Sequence, residues 1–210
     1  MRKRIVVSAA AFAVLAAGPV APASASPLVR GPDGSSLEVA LANGSGCSLG
    51  TVAVDLADDA ETFTLDYSDY TARAGGSSEP AEARKRCQVK LKVGHPENFT
   101  YAISRVDYRV AAGLQPGASA VQRGVHYIQE PSGYTTFTLK GPHDGNFQFT
   151  DRVPEDQLVW KMCGVERSIN VNTELRVDKG TSDPSKVSSI SMNSAEGSRT
   201  TYHLAWKLCS

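Results

Sequence analysis

The 210-residue chain has no excess of either charge, with 22 Lys+Arg against 22 Asp+Glu. A clustered positive field is what holds a phosphate backbone, so nucleic acid is not an expected partner. Histidines are few, and His95, His126, His143 and His203 form neither His-Glu-x-x-His nor any close pair, so no zinc site is encoded locally. Cysteines are equally sparse. Cys47, Cys87, Cys163 and Cys209 never fall within a few residues of one another, which removes the spacing zinc requires. The nucleophile elbow Gly-x-Ser-x-Gly, the phosphate-binding P-loop and the Gly-x-Gly-x-x-Gly fingerprint are all missing. Also missing are a convincing amphipathic helix and, beyond the first two dozen residues, any long apolar run. These absences leave no metal, no cofactor and no catalytic residue to name, and the reading leans away from an enzyme.

What is present begins with an export signal. Arg2-Lys3-Arg4 is a positive start, residues 5–17 are apolar apart from Ser8, and Ala23-Ser24-Ala25 has the small-x-small form of a cleavage site. The run is too short to span a bilayer, which takes about 20 apolar residues. Cleavage after Ala25 is expected, leaving Ser26 at the new start rather than the histidine with which copper-dependent polysaccharide oxygenases begin. Losing Arg2, Lys3 and Arg4 takes Lys+Arg from 22 to 19 against 22 Asp+Glu, a net charge of −3. With no anchor or sorting tail at the far end, the expectation is a released extracellular monomer with no membrane attachment.

An even number of cysteines in an exported chain reads as disulfides. Three pairings are open. Cys47–Cys87 with Cys163–Cys209 is favoured, because each bridge closes a moderate loop within one half of the chain. Each would stabilise by about 3–4 kcal/mol on the loop-entropy model.

The segment from Arg84 to Val93 organises the rest. Cys87, Val89, Leu91 and Val93 alternate with Gln88, Lys90 and Lys92, the pattern of a half-buried strand whose side chains leave on opposite faces. Residues 37–41, 52–56 and 62–67 read as strands, the last two forming a hairpin. Pro80 with Glu79 and Glu82 suggests one helical turn capped by Ser78. Strand patterns continue over 101–110, 118–129, 135–139, 146–150 and 187–192, with breaks at 113–117 and 141–145. Residues 168–178 alternate most cleanly, and Thr200, Tyr202, Leu204, Trp206 and Leu208 alternate up to Cys209. The fold class is all-β: one antiparallel β-sandwich or jelly-roll-like domain stapled by two disulfides. The layout is a signal peptide over 1–25, an irregular lead-in over 26–36 and the sandwich over 37–210.

Several of these motifs carry a resemblance. Gly46-Cys47, Phe63-Thr64-Leu65 with Tyr70, Arg84 through Val89, Asp107-Tyr108-Arg109, Trp160 with Cys163-Gly164, Ile169 through Thr173 and Leu204 through Cys209 together resemble the DUF4360 family of exported bacterial and fungal proteins, a domain of unknown function. The resemblance spans nearly the whole mature chain and implies export and a single domain. It implies no catalytic residue and no ligand.

Candidate chemistry comes from the residues alone. Asn170, Asn172, Glu174 and Arg176, with Asp178 beyond, line one strand face and offer donors and acceptors at every second residue. Sugar-binding and glycoside-cleaving sandwiches use such rows, whereas the plainer reading is a solvated sheet face. A glycan-cleaving alternative would pair Glu174 with a cross-strand carboxylate, since Asp178, about 13 Å along the strand, is too far. Arg84, Lys85, Arg86, Lys90 and Lys92 form a basic patch suited to an anionic surface, or simply a charged loop and wet strand face. Asp55, Asp58, Asp59 and Glu61 offer oxygens to Ca²⁺ but lack the spacing of a calcium loop, and read more plainly as a solvated turn. His95 and His143, beside glycine and proline, read as solvent-exposed turn residues. Trp160 and Trp206, each near a cysteine, read as packing on disulfides rather than as a sugar platform. The expected role is non-catalytic binding of an extracellular polysaccharide or cell-wall component. A secreted inhibitor or effector presenting the loop over residues 75–80 is the other alternative.

Overall fold

The computed structural model describes residues 27–131 and 133–209; the signal peptide expected over residues 1–25 lies outside them. Strands dominate the described residues. In chain order they are β1 (Ser36–Asn43), β2 (Val52–Leu56), β3 (Thr62–Tyr67), β4 (Thr71–Ala74), β5 (Arg84–Gly94), β6 (Phe99–Leu114), β7 (Ser119–Tyr127), β8 (Thr135–Lys140), β9 (His143–Arg152), β10 (Ile169–Asp178), β11 (Ser188–Ser191) and β12 (Arg199–Leu208). They build two antiparallel sheets. A five-stranded sheet runs β1-β5-β10-β7-β8, and a seven-stranded sheet runs β2-β3-β12-β6-β11-β4 with β9 on β6.

Alternation explains how the sheets face each other. On β5 the side chains of Cys87, Val89 and Leu91 are buried while Gln88, Lys90 and Lys92 are exposed. On β10, Ile169, Val171, Thr173, Leu175 and Val177 are buried. The opposite sheet contributes Phe63, Leu65, Val106, Val110, Tyr202 and Trp206. A one-residue slip would turn each row to solvent, so the buried face fixes the register. The sandwich is closed on one side by aromatic rings. β8 and β9 are consecutive in the chain but lie in different sheets, and Phe137 of β8 meets Phe149 of β9 at 3.5 Å between ring centroids. Phe149 also stacks on Tyr108 at 4.7 Å.

Both disulfides take the favoured pairing, Cys47–Cys87 and Cys163–Cys209. Gly46 explains one approach: a Cβ there would lie 2.3 Å from the Tyr70 ring. Only a residue without a side chain lets this loop reach the inward Cys87. The lead-in docks against the body, since Val29 N–H donates to the Trp206 carbonyl at 2.9 Å.

Five details differ from the sequence pattern. β4 shows no alternation long enough to be read; of its four residues only Ala72 is buried. β6 runs through Gly113, read as a breaker, because β9 and β11 pair with it from both sides there. The turn read over 141–145 is shorter, as β9 starts at His143. The helical turn is a 3-10 turn over Pro80–Ala83 preceded by Glu79 rather than capped by Ser78, and Glu79 N–H donates to Glu82 Oε2 at 3.1 Å. Leu208, read as inward, is 49% exposed at the end of β12.

Candidate functional site on the outer face of the five-stranded sheet

Because β10 is the middle strand, its outward residues are flanked on both sides. Glu174 stands opposite Arg86 of β5 and opposite Arg123 of β7. Its carboxylate accepts hydrogen bonds from Arg84 Nη2 at 2.6 Å and Arg86 Nε at 2.9 Å. Burial pushes the Glu174 carboxyl up, but those two hydrogen bonds outweigh it and hold the group below its ordinary range. A catalytic acid in glycoside cleavage needs the opposite shift.

Around this ion pair lies a cleft of about 440 Å³, lined by Asn43, Arg84, Arg86, Gln88, Arg123, Tyr134, Asn172 and Glu174 among others. Among the described residues Glu174 is its sole carboxylate. The partner that glycoside cleavage would require is absent from the cross-strand positions, which hold arginines. Asn172 Oδ1 is shielded from solvent and has no hydrogen-bond partner among the described residues, which is unfavourable until a donor reaches it. Tyr134, 50% exposed, carries the Arg123 guanidinium 3.9 Å from its ring centroid. Tyr134 also borders a second cleft of about 360 Å³ that includes Tyr127, His126, Asp151 and Arg152.

Of the four residues singled out on the stripe, Asn172 and Glu174 come together in the cleft. Asn170 and Arg176 share their face to either side, opposite Lys90 and Arg84. Arg123 and Tyr134 went unnoticed because cross-strand register brings them in. A turn ending in an aromatic, Gly133-Tyr134, was the available signal.

The other candidates fall elsewhere. Asp59 Oδ1 accepts the Glu61 N–H, a local turn contact, and the described residues hold no group of three or more His, Cys, Asp or Glu placed to grip a metal. His95 and His143 are half-buried rather than exposed, because aromatic rings pack edge-on against them: Tyr101 and Trp206 on His95, Phe147 on His143. Trp206 is core, its indole N–H donating to Ala60 O at 2.8 Å, among His95, Phe99 and Tyr101. Trp160 is half-buried under the Lys207 ammonium, 4.2 Å from its ring centroid, rather than stacked in the core. The loop over 75–80 is tied down by Gly76 N–H donating to Pro184 O.

A polar group gathers around Asp107 on the outer face of the other sheet. Asp107 accepts from Arg105, from Thr150 Oγ1 at 2.6 Å and from His203 Nε2, 2.8 Å away. Burial pushes the Asp107 carboxyl up, yet these hydrogen bonds bring it down to about 2. No hydroxyl or thiol nucleophile is hydrogen-bonded to the His203 ring among the described residues, so the arrangement is an ion-pair network.

A family model described as a domain of unknown function, DUF4360, matches residues 33–209. The chain belongs to the DUF4360 family. An uncharacterised secreted protein of Arthroderma benhamiae is 30% identical over 169 residues that cover 79% of this chain and 68% of that relative. With two disulfides and this secreted relative, this DUF4360 member is a secreted protein. Among solved structures, a carbohydrate-binding module (TmCBM61) in complex with β-1,4-galactotriose overlaps at TM-score 0.29 and 8% identity, covering 82% of this chain and 91% of the module. A family 29 carbohydrate-binding module from Piromyces equi overlaps at TM-score 0.24 and 7% identity, covering 83% and 91%. A virus-like particle protein of the Macrobrachium rosenbergii extra small virus overlaps at 0.25 and 8%, covering 97% and 94%. Overlap this low says nothing about a ligand. No helix of the described residues is long and apolar enough to cross a membrane.

Proposed function

We propose that the protein is a non-catalytic secreted module, one sandwich domain over 37–210 behind a cleaved signal, that binds an extracellular polysaccharide on the outer face of its five-stranded sheet. The observation that carries this reading is the cleft around Glu174. It combines amide groups from Asn43, Gln88 and Asn172, a carboxylate fixed by two arginines and an exposed tyrosine ring. Sugar hydroxyls need such paired donors and acceptors, and a pyranose ring packs on an aromatic face. Fixing Glu174 in advance lowers the ordering cost of binding. A lone carboxylate held below its ordinary range by two arginines supports binding over cleavage.

The test is a glycan array probed with the secreted protein, repeated with Asn172→Ala. Saturable binding to at least one polysaccharide, weakened by that substitution, is the expected result. No binding across plant, fungal and bacterial polysaccharides would overturn the reading.

A further inference from the structure

We infer that the ligand of this cleft is an acidic glycan whose uronic-acid carboxylate is taken by Arg123, an inference that rests on the polysaccharide-binding reading above. Three guanidiniums, those of Arg84, Arg86 and Arg123, border the cleft against one carboxylate. Glu174 is already engaged by Arg84 and Arg86. Arg123 stands opposite Glu174 in register, yet none of the ion pairs among the described residues includes it. Its guanidinium lies instead over the Tyr134 ring. Stacking leaves the planar fork of N–H donors unused, and that fork matches a carboxylate in two parallel hydrogen bonds.

The surroundings have the same sign. Lys90 and Lys92 of β5 are exposed on this face, as is Arg176 of β10, while Glu38 stands opposite Lys92. A chain expected to carry a net charge of −3 after export therefore concentrates cations on one sheet face. Such a patch attracts polyanions and orients them before contact. Tyr134 supplies what distinguishes an acidic sugar from a bare anion, namely an exposed ring. It also borders clefts on both sides, of about 440 and 360 Å³, which suits a polymer crossing it. Both volumes lie in the range of ligand sites, about 300–1,000 Å³.

The experiment is calorimetric titration of the secreted protein with polygalacturonate, alginate and hyaluronan, alongside methyl-esterified polygalacturonate, neutral galactan and polyphosphate. The expected result is binding to at least one uronic-acid polymer, at least tenfold tighter than to the neutral polymers and to polyphosphate, and weakened by salt. Arg123→Gln should weaken it tenfold or more, and Arg86→Gln should weaken it with the fold intact by circular dichroism. Equal binding of neutral and acidic polymers, equal binding of polyphosphate, or indifference to Arg123→Gln would each overturn the inference while leaving a glycan-binding module in place. Failure to bind any glycan would overturn the module itself.

Discussion

At Gln122 the interior departs from the rule that buried polar groups are paired. The side chain is 1% exposed, and neither Nε2 nor Oε1 has a partner among the described residues. It lies beside Gly124, where Tyr108 Oη and Thr173 also gather. Replacing it with methionine, close in shape and without the amide, is expected to raise stability by about 1–2 kcal/mol in urea melts. A comparable loss would show that water occupies the site. Burial pushes the nearby phenols of Tyr67, Tyr70, Tyr108 and Tyr202 up from their ordinary value of 10.0. The unfolded chain therefore ionises first, and stability should fall as pH rises above 10, read by tyrosinate absorbance alongside circular dichroism. Asp107 gives the opposite sign at the acidic end. Its folded value of about 2 lies below the ordinary 3.8. The stability it contributes is complete above pH 4 and lost as the pH falls toward 2, so melts of Asp107→Asn should lack that part of the acid dependence. Of these residues Gln122 was the least legible in the sequence. Gln122 reads as one polar residue in a strand, and whether such a residue faces core or solvent depends on partners far away in the chain.

Among the elements, β10 joins fold to site, because it pairs along both edges and carries Asn172 and Glu174 into the cleft. Leu175, fully buried between the sheets, should cost about 2–5 kcal/mol when cut to alanine, measured by denaturant unfolding. β5 and β10 were legible because strict alternation leaves one assignment of inside and outside. β4 was not, since four residues with a single buried alanine carry no period. β6 was read short because a glycine inside a strand looks like a break, while pairing from both sides holds it extended. The same logic explains why half of the cleft was visible. Asn172 and Glu174 lie on one strand, and Arg84 and Arg86 in one charged run. Arg123 and Tyr134 join them through β7 and its following turn, a juxtaposition fixed by register.

For the whole molecule, the two crosslinks are long-range restraints that the sequence left open among three pairings, and the one favoured for closing a moderate loop within each half of the chain is the one the structure has. Each spans 40 or 46 residues, and removing either by paired Cys→Ala substitution should lower stability by about 4 kcal/mol in denaturant titrations on the loop-entropy model. The Cys163–Cys209 bridge spans β10, β11 and β12, one strand from the binding face and two from the opposite sheet. A protease cutting anywhere between those cysteines would yield two peptides that still migrate as one on a non-reducing gel, with Glu174 still tethered to its arginines. A secreted protein meets such enzymes as a matter of course, and this one can be nicked without coming apart.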